Sequence, residues 1–159
     1  MGNIFEITSI NSIVKDFNKS HRVLNGLNVN GVNKMKYSIW VTTDCNLRCL
    51  YCYEGQEKQH LSISRQVSDD ILRFMQRDLI EDNNKELLID FHGGEPFLNI
   101  QEIKYLVRKI LEKFGQARKV QFATTTNATI MEEDILDFIV QYIPDVSVSL
   151  DGTERTHNF

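Results

Sequence analysis

Three cysteines within eight residues are the part of this sequence that points most clearly to chemistry. Cys45, Cys49 and Cys52 occur as C-N-L-R-C-L-Y-C, and they are the only cysteines in the 159-residue chain. A structural zinc site needs four ligands to close a tetrahedron, and a disulfide framework needs an even number of cysteines. Three clustered thiols therefore indicate a metal centre with one open coordination position, where a substrate or cofactor binds.

Two common uses of the Cys49-x-x-Cys52 spacing stand as alternatives. The same spacing occurs in redox-active dithiols and in half of a zinc knuckle. Cys45 and the absence of further ligands argue against both. His92 is a further candidate ligand, but a histidine at the end of a strand is more often packed or hydrogen-bonded. No ligand spacing connects the remaining histidines, His21, His60 and His157.

The segments around the cysteines alternate between strand and helix patterns. Residues 37–43, Y-S-I-W-V-T-T, are rich in β-branched and aromatic side chains and lead directly into the cysteine loop. Apolar residues at helical spacing predict a helix from Ser62 to about Ile80. The same order of strand and helix continues, with strands predicted at 87–91, 120–124 and 146–150 and apolar helical stripes between them.

Capping patterns predict where two of these helices begin and end. Asn99 and Glu102 stand where they could cap the second helix, and Gly115 could end it. Thr129 and Glu132 have the spacing of a capping box for the third helix.

Every chemically suggestive segment directly follows a predicted strand. These segments are the cysteine loop, H-G-G-E-P at 92–96, T-T-N at 125–127 and S-L-D at 149–151. Strands that alternate with helices favour a parallel sheet, and its crossovers bring the carboxyl ends of the strands to one edge. Ligands bind at this edge in α/β folds, so the four segments predict a single site.

These motifs resemble the radical S-adenosylmethionine (SAM) enzymes, over residues 37 to 152. The resemblance depends on Cys45-x-x-x-Cys49-x-Tyr51-Cys52, G-G-E-P at 93–96, T-N at 126–127 and S-L-D-G at 149–152. It implies that the three thiolates hold a [4Fe-4S] cluster and that SAM chelates the fourth iron. One electron from the cluster then breaks the sulfonium bond, and a 5'-deoxyadenosyl radical abstracts hydrogen from the substrate.

The resemblance also implies cofactor contacts for residues beside the cysteines. Tyr51 is expected to cover the cluster and pack against adenine, with an ordinary loop aromatic as the alternative. Gly93 and Gly94 permit backbone close to the ligand or a positive φ, and Glu95 can accept a hydrogen bond from a cationic ammonium.

Three polar residues at strand ends are candidates to hold the ribose or methionyl portion of SAM. They are Asn127, Ser149 and Asp151. Polar residues at strand ends also cap and turn chains, so both interpretations stay open for each of them.

The motif set is most similar to the subgroup of the family that modifies peptides and proteins. This subgroup includes maturases of ribosomal peptides and the anaerobic sulfatase-maturating enzymes. The resemblance implies a peptide or protein substrate and an electron donor such as flavodoxin or ferredoxin. The subgroup usually carries auxiliary clusters on further C-terminal cysteines, which this chain does not contain.

The expected fold is α/β, a parallel (β/α) partial TIM-type barrel that is truncated after about four strands. Residues 1–36 are expected to form an N-terminal extension, with a possible hairpin at its Asn-Gly turn signals. Residues 37–159 are expected to form an incomplete radical SAM core. An unfinished barrel leaves an exposed strand edge, so the alternative is a truncated non-catalytic fragment that binds a cluster or awaits a separate C-terminal half.

Composition narrows the possible partners and location. The net charge is -4 and no basic stripe occurs, which disfavours nucleic acid as a partner. No apolar stretch reaches the roughly 20 residues that cross a bilayer, so no membrane role is expected. Thiols that bind metal must stay reduced, and we therefore expect a soluble cytoplasmic protein.

Overall fold

The structure is a computed structural model that describes residues 34–54, 60–80, 86–150 and 152–153. These residues belong to one compact unit that spans Lys34–Phe159. The hairpin predicted within residues 1–36 lies outside the described residues, apart from the last three, which belong to the first strand. The elements in chain order are β1 Lys34–Thr42, α1 Arg65–Asp78, β2 Glu86–Gly93, a 3-10 turn Pro96–Asn99, α2 Ile100–Phe114, β3 Lys119–Thr126, α3 Glu133–Tyr142 and β4 Asp145–Val148.

The four strands form one parallel sheet in the order β1-β2-β3-β4. Each strand therefore pairs with the strand that follows it in the chain, after the connection between them has crossed back. The predicted α/β class and its parallel sheet are confirmed. β1 begins three residues earlier than predicted, because Lys34 to Lys36 continue the pairing with the start of β2.

The sheet has one apolar face and one largely polar face. On β2, Leu87, Ile89 and Phe91 are fully buried in a core that also includes the apolar stripes of α1 and α2. The alternate residues of the same strand include Asp90 and His92, which make polar contacts instead. This alternation follows the period of two of a strand, and it directs the helices to one face only.

Asn99 and Glu102 do not cap α2 as the sequence suggested. Asn99 occupies the N-cap position without a side-chain cap, and its Nδ2 donates to the carbonyls of Val41 and Ile63, at 2.9 and 3.2 Å. Glu102 instead forms an ion pair with Arg65 of α1, with 2.9 Å between Nη2 and Oε1. Both side chains join separate elements because partners on β1 and α1 lie within reach only after the chain has folded.

The capping box predicted for α3 is also wrong. Glu132 is the N-cap residue of α3, without a side-chain cap bond. The hydroxyl of Thr129 donates to Asn127 Oδ1 at 2.6 Å, so it serves the loop after β3 rather than the helix. The predicted end of α2 is correct, since Gly115 is its C-cap and donates its N–H to the carbonyl of Leu111.

Candidate metal centre

The cysteine loop follows β1 directly, at the carboxyl edge of the sheet. Cys45, Cys49 and Cys52 are half-buried and none of them is in a disulfide. The backbone N–H of Cys52 donates to the carbonyl of Cys49 at 3.0 Å, which closes a tight turn. The N–H of Leu47 donates to the Sγ of Cys45 at 3.4 Å. The loop therefore presents soft sulfur ligands from a short segment whose backbone is partly fixed.

The donor set suits a cluster better than a single ion. Within the residues that the structure describes, no three His, Cys, Asp or Glu side chains come close enough together to hold one metal ion. In an iron-sulfur cluster each cysteine thiolate binds a different iron, so the sulfurs need not converge on one point. Three half-buried thiols without a fourth are thus compatible with a cluster and unsuited to a closed zinc site.

The two glycines after β2 allow its backbone to pack directly against the cysteine loop. A Cβ on Gly94 would lie 2.3 Å from the carbonyl oxygen of Asp44, and one on Gly93 would lie 2.5 Å from that of Thr42. Hydrogen bonds run from Gly94 N to Thr42 O and from Glu95 N to Asp44 O, at 3.1 and 2.8 Å. Of the two alternatives that the sequence left open for these glycines, a positive φ does not occur at either one. What requires glycine is the close approach of loop backbone.

Glu95 is the buried centre of the contacts among the strand ends. Its side chain is 0% exposed. Its Oε1 accepts from the N–H of Phe97 at 3.1 Å and from the hydroxyl of Thr126 at 2.9 Å, and its Oε2 accepts from the N–H of Asn127 at 2.8 Å. A carboxylate is the side chain suited to several converging donors. Glu95 therefore joins the ends of β2 and β3, and its contact with an ammonium stays a prediction.

Asn127 connects the end of β3 to the cysteine loop. Its Nδ2 lies 3.7 Å from the Sγ of Cys45 and 3.0 Å from Oδ1 of Asn46. Its Oδ1 accepts from both the N–H and the hydroxyl of Thr129, at 3.0 and 2.6 Å. The structure thus brings the first three predicted segments together, because a chain of direct hydrogen bonds joins the ends of β1, β2 and β3.

The remaining predicted site residues are less closely connected to this centre. Tyr51 lies on the cysteine loop and is 69% exposed. Ser149 is exposed after β4, and its N–H donates to the carbonyl of Thr126 at 2.9 Å. Asp151 lies outside the described residues. Roles for these three residues in holding SAM stay predictions.

His92 is packed and hydrogen-bonded, as its position at a strand end suggested. Its ring stacks on that of Trp40 with 4.9 Å between centroids, and its Nε2 lies 2.9 Å from the carboxylate of Asp90. Burial raises the pKa of Asp90, but hydrogen bonds and charge from Lys36 and His92 outweigh it and bring that pKa below its usual value. Both partners therefore stabilise the ionised carboxylate on the polar face of the sheet.

Four further residues support the centre and were not assigned to the site from the sequence, although Thr126 lies within the T-N motif. Asp44 accepts the N–H of Cys45 at 2.8 Å and contacts His60 at 2.7 Å. The only signal for such residues is their position next to a motif, which does not specify a partner. The others are Asn46, Thr126 and Thr129.

A parallel α/β sheet with a three-thiol loop at its carboxyl edge defines an iron-sulfur type of domain. A family model described as "4Fe-4S single cluster domain" matches residues 26–158, which is most of the chain. The chain belongs to this family, which is of the radical SAM type, and the resemblance found in its motifs is confirmed. The predicted cofactors, a [4Fe-4S] cluster and SAM, agree with this membership.

Known proteins similar to this chain include two characterised relatives and a solved structure. The radical SAM cyclopropyl synthase TigE of Paramaledivibacter caminithermalis is 25% identical over 134 residues, which cover 75% of this chain and 27% of that protein. A cysteine-type anaerobic sulfatase-maturating enzyme of Clostridium perfringens is 25% identical over 120 residues, or 74% of this chain and 32% of that enzyme. The structure of native anSMEcpe with bound AdoMet and Kp18Cys peptide has a TM-score of 0.66 at 24% identity, covering 79% of this chain and 34% of that one.

The chain spans between about a quarter and two fifths of the length of the curated relatives that it matches. The similarity to the solved structure shows that this chain and that protein share a fold over the matched residues. Among the described helices, none combines the length and the apolar character needed to cross a membrane.

Proposed function

We propose that this chain binds a [4Fe-4S] cluster through Cys45, Cys49 and Cys52 and binds SAM at the same edge of the sheet. When bound, these two groups supply a 5'-deoxyadenosyl radical for abstraction of hydrogen from a substrate. The observation that carries the proposal is the direct hydrogen bonding among three strand ends around the cysteine loop. Membership of the family supports it.

The chain's own residues would position the cofactors rather than react. Gly93 and Gly94 hold the first part of the cysteine loop against β2, and Glu95 joins β2 to β3 beneath it. Tyr51 would cover the bound cluster from its exposed position on the loop. This framework fixes part of the loop backbone before any ligand arrives, so less ordering is needed on binding.

The methionyl and ribose portions of SAM would lie along the same edge, at the ends of β2 to β4. Ser149, which is exposed after β4, and Asp151, which lies outside the described residues, are proposed for the ribose from the sequence motif. We propose that the backbone of the G-G-E segment, at 93–95, contacts SAM. The Glu95 side chain is buried and already accepts three hydrogen bonds.

The proposed substrate is a peptide or protein. The support comes from a relative that matures sulfatases and from a similar structure that holds a peptide together with AdoMet. A reducing compartment, the cytoplasm, is proposed because the thiols must stay reduced, and a flavodoxin or ferredoxin is proposed as the electron donor.

Anaerobic reconstitution with iron and sulfide tests the proposal. We expect about four iron and four sulfide per chain, as one [4Fe-4S] cluster requires, with loss of the cluster in Cys49→Ala. Addition of dithionite and SAM is expected to release 5'-deoxyadenosine and methionine. A chain that loads no cluster would contradict the whole proposal.

A loaded chain that releases no 5'-deoxyadenosine would contradict radical formation by this chain alone and would favour the cluster-binding fragment. Adding the candidate peptide then tests the substrate, with deuterium transfer from a labelled peptide into 5'-deoxyadenosine as the measurement. Leu50→Ala is a suitable folding control for Cys49→Ala, because Leu50 lies beside Cys49 on the same loop, is 91% exposed, and its replacement leaves all three thiols.

A further inference from the structure

The orientation of the Asn127 side-chain amide is determined by its neighbour Thr129. The backbone N–H of Thr129 can only donate, and it lies 3.0 Å from one atom of the amide, which must therefore be the oxygen. The nitrogen then faces the other way, toward Cys45 Sγ at 3.7 Å and Asn46 Oδ1 at 3.0 Å. The positions of the amide oxygen and nitrogen thus follow from the fact that the N–H of Thr129 is a donor.

A ring of hydrogen bonds holds this amide in place. Asn46 Nδ2 donates to the hydroxyl of Thr129 at 2.7 Å, and that hydroxyl donates to Asn127 Oδ1 at 2.6 Å. Asn127 Nδ2 closes the ring on Asn46 Oδ1. Two of these three residues lie after β3 and one lies on the cysteine loop, so the ring fixes the loop relative to the sheet.

The hydrogen-bonding capacity of Asn127 is fully used within the protein. A side-chain amide has two N–H donors and an oxygen that accepts two bonds. The donors are directed at Cys45 and Asn46, and the oxygen accepts twice from Thr129. No capacity is left for the ribose or methionyl group that the sequence motif suggested as its ligand.

We propose that Asn127 sets the reduction potential of the cluster through an N–H···S hydrogen bond to Cys45. This inference rests on the proposed function, since it requires Cys45 to be a cluster ligand. Hydrogen bonds to the sulfurs are among the factors that determine cluster potential. The positive end of the N–H dipole stabilises the additional negative charge of the reduced state, so the bond raises the potential.

The N–H of Leu47 also points at this sulfur, at 3.4 Å, but it belongs to the loop backbone and cannot be removed by changing a side chain. The Asn127 bond is the one that evolution or an experiment can change independently. Asn127 is thus a positioning residue that acts on the metal centre through a ligand, as hydrogen bonds to metal ligands do at other sites.

The test is a redox titration of the reconstituted chain, followed by the EPR signal of the reduced cluster. For Asn127→Ala we expect the equilibrium constant for reduction to fall by about tenfold, which for one electron is a potential about 59 mV lower. Removal of the side chain also admits water, and better solvation of the reduced cluster raises the potential. A decrease is therefore specific to loss of the hydrogen bond.

Leu50→Ala is the control, because Leu50 lies on the same loop, is 91% exposed, and its removal leaves the Asn127 N–H directed at Cys45. We expect its potential to stay close to that of the unchanged protein. An unchanged or higher potential in Asn127→Ala, with its cluster loaded, would overturn the inference while leaving the proposed function intact.

A measurement on the unchanged protein covers the case in which Asn127→Ala loads no cluster. Labelling of asparagine side-chain amides with ¹⁵N is expected to give a hyperfine coupling to the reduced cluster, detected by ENDOR. The coupling should persist in Leu50→Ala. Absence of the coupling in a loaded, unchanged chain would overturn the inference, whereas a chain without any cluster would refute the proposed function itself.

Discussion

Replacement of Gly94 by alanine is expected to separate the cysteine loop from the sheet. The new Cβ would lie 2.3 Å from the carbonyl oxygen of Asp44, 2.7 Å from its carbonyl carbon and 2.8 Å from the Cβ of Cys45. Ordinary van der Waals contact begins near 3.4 Å, so the loop has to move by roughly 1 Å. Two of the three atoms are backbone, and a side-chain rotation therefore cannot relieve the overlap.

The cost can be estimated from the hydrogen bonds that this displacement breaks. The bonds from Gly94 N to Thr42 O and from Glu95 N to Asp44 O both cross the contact, at 3.1 and 2.8 Å. Each bond broken so that a buried polar group has no partner costs about 1–3 kcal/mol, so for two bonds we expect a loss of about 2–6 kcal/mol in the free energy of unfolding. Because small domains are stable by only about 5–15 kcal/mol, this loss is a large fraction of the total.

Urea unfolding of the apo protein, followed by circular dichroism, measures this loss without any cofactor. Iron per chain after reconstitution measures the second expected effect, since a displaced loop no longer holds its thiols in position. Leu50→Ala is the matched control, because Leu50 lies on the same loop and is 91% exposed. A Gly94→Ala protein with the stability and the iron content of the Leu50→Ala control would refute the reasoning.

Three further predictions concern the framework of the site and need no cofactor. Glu95→Gln is expected to lower the free energy of unfolding by about 2–3 kcal/mol, because an amide nitrogen would face one of three buried donors. Ala128→Gly is expected to raise the free energy of unfolding by about 0.5–1 kcal/mol, because Ala128 has a φ of 58° that favours glycine. The midpoint of urea unfolding measures both the Glu95→Gln and the Ala128→Gly changes. Asp90→Asn is expected to weaken the dependence of the free energy of unfolding on pH in acid. The pKa of Asp90 is lowered in the folded state, so its ionised form stabilises the fold above the ordinary pKa of about 4. This stability is lost as the pH falls. Stability measured from about pH 6 to pH 2 tests it.

Matched variants separate these effects from general damage. Thr126→Ser keeps the hydroxyl that donates to Glu95 and accepts the N–H of Ala128, so it should destabilise by less than Glu95→Gln does. Asp134→Asn removes an exposed carboxylate paired with Lys104, and its acid profile should stay close to that of the unchanged protein. If Asp90→Asn and Asp134→Asn have the same stability profile in acid, the argument about the pKa of Asp90 is wrong. A less stable Ala128→Gly protein would contradict the argument from the φ of Ala128.

Much of the fold could be predicted from the sequence because its signals are local. Alternating and helical apolar patterns identified four strands and three helices in the correct order, and their parallel pairing followed from the crossovers. Cap patterns were less informative. Asn99 and Thr129 have residue types suited to helix N-termini, yet both bond to backbone or side chains elsewhere, because short polar side chains take whichever partner the folded chain brings near.

Three features of the site can be read directly from the sequence: three thiols share one loop, this loop follows a strand, and further polar segments follow the next strands. These features depend on residue type and on spacing along the chain. The hydrogen-bond partners of the site residues depend on the folded chain. Glu95 bonds to the end of β3, and Asn127 directs its amide at Cys45. Residues 31 to 82 positions apart meet in these bonds. Their meeting depends on strand register and on backbone contact at Gly94, which no local pattern encodes.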